Sequence, residues 1–200
     1  MTSAPYDAII LGAGGAGLMC AATAGQMGQR VLVIDHAAEP GKKILISGGG
    51  RCNFTNMHTG PQNFISNNSH FAKSALKRYT QWDFLALVES YGIAWHEKTL
   101  GQLFCDVSAK DIIAMLLSEM DKAKAQLWLQ TSVEDITYDD GRFIVRTNKD
   151  GRNITLDVKN LVVACGGKSI PKMGATGFGY QIASQFDLPV ITPRPGLVPL

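Results

Sequence analysis

Six positions near the start of the chain, Gly12-Ala13-Gly14-Gly15-Ala16-Gly17, have the form G-x-G-x-x-G. The chemistry open to such a turn is the holding of phosphate. Gly12 would make a tight turn. Gly14, lacking a Cβ, would let the backbone approach a pyrophosphate, and Gly17 would let a helix lie close to a strand. The N–H groups that open the helix, with its partial positive charge, would face the phosphates. Asp35 lies 23 residues after Gly12, near the ~20 expected of an acid that accepts a ribose 2′-hydroxyl. A carboxylate there repels a 2′-phosphate, so NADP is disfavoured at this site. His36 follows directly and is placed to sit over an adenosine.

A G-x-G-x-x-G alone is weak, so the flanking elements decide. Ala8–Leu11 and Val31–Ile34 are short apolar runs that read as buried parallel strands. Between them Ala16 to Met27 is small and apolar, as suits a helix packed tightly on a sheet, with Gly28 as its stop. Strand, glycines, helix, strand and acid fall in the order of a right-handed βαβ unit. A helical spacing of apolar residues runs from Phe71 to Tyr91. A hairpin is expected over 93–97 and 102–105. Ser108 begins an S-x-x-D capping box for a helix from Ala109 to about Ala125. A strand at 127–131 follows, then a three-strand meander near 133–138, 142–147 and 153–158. Asp140-Gly141 and Asp150-Gly151 supply the positive φ of its two tight turns. A buried strand at 160–165 and a helix near 179–186 close the pattern. The fold class is α/β: a Rossmann-type domain with a parallel sheet and an antiparallel β-meander insertion.

The motif does not separate FAD from NAD, but its sequel does. A dehydrogenase would usually run on into a third parallel strand. This chain spends residues 41–53 on a second glycine-rich loop, whose backbone N–H groups would line a pyrophosphate and a flavin. Lys42, Lys43 and Arg51 there would offset phosphate charge. A meander between two βα units is also commoner in FAD domains. Two other glycine clusters are decoys. Gly167-Lys168-Ser169 resembles the end of a P-loop, but the glycine needed five positions earlier is Val162. The stretch 174–179 has no acid at the right distance.

Bulk properties bound the rest. The 200 residues carry a net charge of +2 and four cysteines, none in a C-x-x-C pair. The pattern speaks against a disulfide framework or a zinc site and fits a reducing cytosol. No basic leader opens the sequence, and no apolar run approaches a membrane span, so a cytoplasmic protein without membrane contact is expected. The small net charge gives no ground to expect nucleic acid, and Lys73, Lys77 and Arg78 read as the solvated face of a helix. The histidines show no ligand spacing, so no metal is expected. Cys52 reads as a small residue packing beside the cofactor rather than as a redox thiol. Residues 193–200 read as a linker leaving a domain of residues 1–192.

Gly41-Lys42-Lys43-Ile44-Leu45-Ile46-Ser47-Gly48-Gly49-Gly50-Arg51-Cys52-Asn53-Phe54-Thr55-Asn56 resembles the signature of the YhiN/BaiN-like bacterial flavoproteins. Leu161 to Ser169, with Pro171 to Gly177, resembles that family's second signature. The resemblance implies a flavoprotein of the two-dinucleotide-binding-domain type with noncovalent FAD. It implies that Asp35, the 41–53 loop (Gly41, Lys42, Lys43, Ser47, Gly48, Gly49, Gly50, Arg51, Cys52 and Asn53), the backbone of Val133, the stretch Ala164-Cys165-Gly166-Gly167 and Thr176 surround that FAD. Such proteins usually carry Thr in place of Cys165 and often Glu in place of Asp35. They run to about twice this length, so a second, substrate-side domain is implied. The expected function is an FAD-dependent oxidoreductase moving a hydride between NAD(P)H and a small organic substrate. The alternatives are an NAD-dependent dehydrogenase, or a flavin-binding sensor or RNA-acting module.

Overall fold

The apolar runs at 8–11 and 31–34 sit in the middle of a six-stranded sheet in the computed structural model, which describes residues 6–169 and 176–194. Strands β1 (Tyr6–Leu11) and β2 (Val31–Ile34) are parallel, paired from Ala8↔Val31 to Leu11↔Ile34. Strand β6 (Gln126–Trp128) extends the sheet beside β2, and β9 (Arg152–Val163) flanks β1 on the other side, both parallel. Strands β7 (Thr131–Asp139) and β8 (Arg142–Lys149) complete the order β6-β2-β1-β9-β8-β7.

Both faces of the central strands are covered, which is why their sequences are apolar without alternation. On one face Ile10, Val31 and Val33 pack against helices α1 (Gly15–Gln26) and α5 (Ala109–Lys122). On the other, Ile9, Leu11, Leu32 and Ile34 meet Ile136, Val145, Leu156 and Val158 of the meander and Ile182 of α6 (Phe178–Gln185). Helix α1 fits this place because it is small: a Cβ on Gly25 would stand 2.7 Å from the carbonyl oxygen of Ala123 at the end of α5.

Several elements differ from the sequence reading. The third meander strand and the buried strand at 160–165 are one strand, β9. Its first half pairs antiparallel with β8 and its second half parallel with β1, changing partners at Val158. The meander is therefore hydrogen-bonded to the parallel sheet through β9. The segment 41–53 is not a plain loop. It forms the short helix α2 (Lys42–Ile46), a turn over Ser47–Gly50 with positive φ at Gly48 and Gly49, and the start of β3 (Asn53–Asn56). Strand β3 joins the expected hairpin, β4 (Trp95–Glu97) and β5 (Gln102–Cys105), in a three-stranded antiparallel sheet. The helical spacing at 71–91 belongs to two helices, α3 (Lys73–Arg78) and α4 (Gln81–Ser90). Thr80 divides them: its hydroxyl accepts from the Asp83 N–H at 3.3 Å, and the Asp83 carboxylate accepts from the Thr80 N–H at 2.7 Å. That T-x-x-D capping box escaped the sequence reading. At α5, Ser108 does cap, accepting from the Lys110 N–H at 3.1 Å, whereas the Asp111 N–H turns to the Ser108 carbonyl. Strand β6 stops at Trp128 because Gln130 takes φ 50°, and Thr131 already belongs to β7. The Asp-Gly turns are as read, with φ positive at all four residues.

Residues 171–175 of the second signature, most of the 174–179 glycine cluster's first half, and the end of the proposed linker (195–200) lie outside the described residues. Among the described residues, no helix is long and apolar enough to cross a membrane.

Candidate functional site

The pairing register brings Leu11, Ile34 and Val163 into one row. The residues that follow them, Gly12, Asp35 and Ala164, therefore meet at the carboxyl edge of the sheet, where open α/β sheets bind ligands. Main-chain bonds lock this edge: Gly12 N–H to Ile34 O (2.8 Å), Ala164 N–H to Leu11 O (2.8 Å) and Asp35 N–H to Trp128 O (2.9 Å).

The glycine turn is crowded inside and open outside. Gly12 has φ 111°, and a Cβ there would lie 2.5 Å from the Ala164 carbonyl oxygen. A Cβ on Gly17 would lie 1.9 Å from the Gly12 carbonyl oxygen, so the first turn of α1 rests directly on β1. Around a Cβ on Gly14 there is nothing within 4 Å. Gly14 is also the N-cap of α1, with no side chain capping it, so the helix's first N–H groups are left for another acceptor.

Asp35 is mostly buried, and both its oxygens are engaged. One accepts from the Ala13 N–H at 2.7 Å, the other from the Ala37 N–H at 2.8 Å. It thus pins the glycine turn to the end of β2. Each oxygen keeps a further lone pair for a donor in the groove. His36 is exposed, its Nδ1 3.5 Å from Asp35.

A groove of about 230 Å³ runs over this turn, lined by Gly12 to Ala16, Asp35, His36, Gly41 to Ile44 and Ala164 to Gly166. Two more open from it. One, of about 410 Å³, shares Gly12, Asp35, His36 and Cys165 and adds Thr131, Ser132, Val133, Thr176, Phe178 and Gln181. The other, of about 440 Å³ and mostly apolar, shares Gly15, Ala16, Lys43 and Ile44. It adds Met19, Ser47, Cys52, Asn53, Phe54, Phe84, Ile112 and Leu116. Because each outer groove shares walls with the central one, the three form a single trough along the sheet edge. Lys43 leans across it, its Nζ donating to Gly167 O at 3.3 Å.

The thiols here are held above the ordinary thiol range. Burial pushes Cys52 up, partly offset by a hydrogen bond with Ser47. Burial, with the charge of Asp35 nearby, does the same to Cys165. Cys105, behind the trough, is pushed up to about 12, first by burial and then by Cys52, Asp111 and Asp106. Cys52 is buried with φ 51°, wedged under the Ser47–Gly50 turn with its N–H on Ser47 O.

Most of the expected site residues meet in the trough. Gly17, Gly48, Gly49, Gly50, Arg51 and Gly167 do not line it. Gly17 is internal to the turn. Gly48 packs on Phe104, where a Cβ would stand 2.6 Å from the ring, and Arg51 is exposed while its carbonyl accepts from the Cys105 N–H. The sequence reading missed Ala37, Glu39, Thr131, Ser132, Phe178 and Gln181, and the apolar wall made by Phe54, Phe84, Ile112 and Leu116. Apart from Phe54, which lies in the 41–56 signature, no local motif marks them; the packing of β3, α4 and α5 brings the apolar wall together.

Residues 6–200 match the family model described as the HI0933-like protein Rossmann domain. The chain is 53% identical over 194 residues to a ribosomal RNA dihydrouridine synthase of Escherichia coli (strain K12), covering 97% of this chain and 48% of that protein. It is 28% identical over 195 residues to a 3-dehydro-bile acid delta(4,6)-reductase of Clostridium scindens, covering 96% of this chain and 46% of that protein. The chain thus spans about half the length of these relatives. Among solved structures, a 3-ketosteroid-delta4-(5alpha)-dehydrogenase from Rhodococcus jostii superposes with a TM-score of 0.63 at 13% identity, over 84% of this chain and 47% of that one. That likeness speaks for the fold.

Proposed function

This chain belongs to the HI0933-like family of Rossmann-domain proteins, and from that premise we propose that it binds FAD as part of a flavin-dependent reductase of ribosomal RNA uridine. The observation that carries the cofactor is the glycine turn, packed shut at Gly12 and Gly17 and open at Gly14 onto the trough.

The residues fit the group. The N–H groups opening α1, with Lys42 and Lys43, would hold the pyrophosphate in the central groove. The free lone pairs of Asp35 would accept ribose hydroxyls and turn away a 2′-phosphate. The groove beside Val133 and Phe178 would take the adenine, and the apolar groove beside Phe54 and Phe84 the flavin end. FAD held there supplies hydride-transfer chemistry that amino-acid side chains lack. The chain's part is to position it and to keep water from its apolar wall.

The substrate class follows from the relatives' names. Dihydrouridine formation and delta(4,6) reduction of a 3-dehydro-bile acid both saturate a C=C bond conjugated to a carbonyl. The higher identity favours uridine, whose C6 would receive the hydride and C5 a proton. A nicotinamide nucleotide is the proposed electron donor. A second reading, a small unsaturated ketone as substrate, is favoured by the bile-acid relative alone.

The test is to purify the protein, identify any released yellow cofactor by mass, and incubate the reduced protein with ribosomal RNA free of dihydrouridine. FAD release, with gain of two hydrogens at a uridine, supports the proposal. FAD without RNA reduction, but with turnover of an enone, favours the second reading. A colourless protein that binds NAD tightly overturns both.

A further inference from the structure

The net charge of +2 hides a division along the sequence. Residues 40–82 contain six lysines and arginines and not one aspartate or glutamate. The remaining 157 residues hold thirteen basic and seventeen acidic side chains, a net of −4. Elsewhere Arg30, Lys122, Arg142 and Arg146 sit in ion pairs with carboxylates, whereas among the described residues none of the six does.

The outer part of this stretch has no core of its own. From Asn53 to Phe84 no residue is buried, and Gln62 to Phe71 are exposed without a break. Local bonds hold its shape instead: Asn63 Oδ1 accepts from the Gly60 N–H, Asn68 Oδ1 from the His70 N–H, and Gln81 donates to Met57 O. Large rings stand out of it. Phe71 is 81% exposed, Phe64 and Trp82 about half, and none of the three pairs with another ring. Lys73, Lys77 and Arg78 lie among them on α3. Two residues after Trp82 on α4, Phe84 forms part of the apolar groove at one end of the trough.

Cationic side chains interleaved with unpartnered aromatic rings match what an unpaired nucleic acid strand needs: phosphate neutralisation plus faces on which bases stack. We propose that the surface of residues 61–82 is a docking site for single-stranded or loop RNA, which it leads toward the trough. This rests on the RNA reading above and gives that reading a location. Its three cations are Lys73, Lys77 and Arg78, and its stacking platforms are Phe64, Phe71 and Trp82.

The test uses the intact, FAD-loaded protein and a fluorescent uridine-containing single-stranded RNA of about 20 nucleotides, with the matching duplex as competitor. The variants are Lys73→Ala/Lys77→Ala/Arg78→Ala and Phe64→Ala/Phe71→Ala, all at exposed positions. The charge variant should weaken binding about tenfold or more and lower the slope of log affinity against log salt by about 2, at ~0.7 per phosphate contact on single strands. The ring variant should weaken binding about tenfold with the salt slope unchanged. FAD content and reduction of an artificial electron acceptor should stay at wild-type levels in both. RNA binding or reduction that both variants leave intact overturns the site while sparing the function. Variants that lose FAD or stability with RNA affinity unchanged would mean that the surface packs on protein, and overturn it too. Absence of any RNA binding by the FAD-loaded wild type overturns this inference together with the choice of substrate, leaving the flavin reading intact.

Discussion

The glycines of the first turn look alike in sequence and differ in the structure. Gly17 has no room for a methyl group, since its Cβ would fall 1.9 Å from a carbonyl oxygen, whereas Gly14 has open space. Gly17→Ala should therefore destabilise the fold by about 3 kcal/mol or more. Gly14→Ala should leave stability within ~0.5 kcal/mol yet weaken FAD about tenfold or more, because the added methyl occupies the ligand's side of the turn. Denaturant melts beside flavin titrations separate the two. A Gly14→Ala protein that binds FAD normally would remove the pyrophosphate from this turn. Asp35 carries a double load: it pins Ala13 and Ala37 and faces the groove. Asp35→Ala should weaken FAD about ten- to hundredfold, the loss of one hydrogen bond to a charged group being about 1.5–3 kcal/mol, and should lower the melting temperature as well. Unchanged affinity would mean the carboxylate serves the fold alone. These residues were legible in the sequence because one turn gathers them within six positions and one register row brings Asp35 beside them. Thr131, Phe178 and Gln181 were not, because they reach the same trough from distant elements and carry no spacing of their own.

At the scale of elements, what the sequence concealed was continuity and breakage. The sequence of β9 has the pattern of two strands because its polar middle, Lys159 and Asn160, interrupts the apolar run; yet there Asn160 donates to Asp7 O at 2.8 Å and ties the strand to β1. The helical period over 71–91 was real but hid a break, and only the T-x-x-D at Thr80 announced it. Thr80→Ala should cost about 1 kcal/mol, the usual worth of such a cap, with FAD affinity unchanged; urea unfolding measures it. The amino ends of β1 and the turn into β2 are joined by Asp7, whose carboxylate accepts from the Arg30 guanidinium at 2.9 Å and from the Arg30 N–H at 2.8 Å. These bonds hold Asp7 at about 2, below its ordinary 3.8. Because the folded value is the lower one, the contribution is complete above about pH 4 and is lost as pH falls through about 2. Asp7→Asn should flatten that part of the acid unfolding curve, and added salt should shrink the difference, since the pair is exposed. An acid limb identical in the two proteins would show that the pair contributes nothing.

At the scale of the whole molecule, a ligand lying along the sheet edge would touch β1, β2, β7, α1, α2, α5, α6 and the turn after β9 through the residues of the trough. It should therefore stabilise the domain as a unit. FAD at about 100 times its dissociation constant adds about 2.7 kcal/mol, which for a domain of this size raises the melting point by about 5–10 °C. Thermal scans with FAD, and with NAD as control, measure the shift, and a larger shift with NAD would reverse the cofactor choice. The whole-chain net charge of +2 is a sum over regions of opposite sign, and the sum says little about any one face. The sheet order also has a bearing on how the molecule is made. Strand β1 gains one neighbour from β2 within about twenty residues, but the other from β9, where Leu11 pairs with Val163. On a ribosome adding roughly 5–20 residues per second, the open side of β1 waits about 8–30 s for the partner that closes it. During that time an apolar strand edge stands ready to pair with any other nascent chain, so the step at which this protein is most exposed to aggregation lies in its translation rather than in its working life.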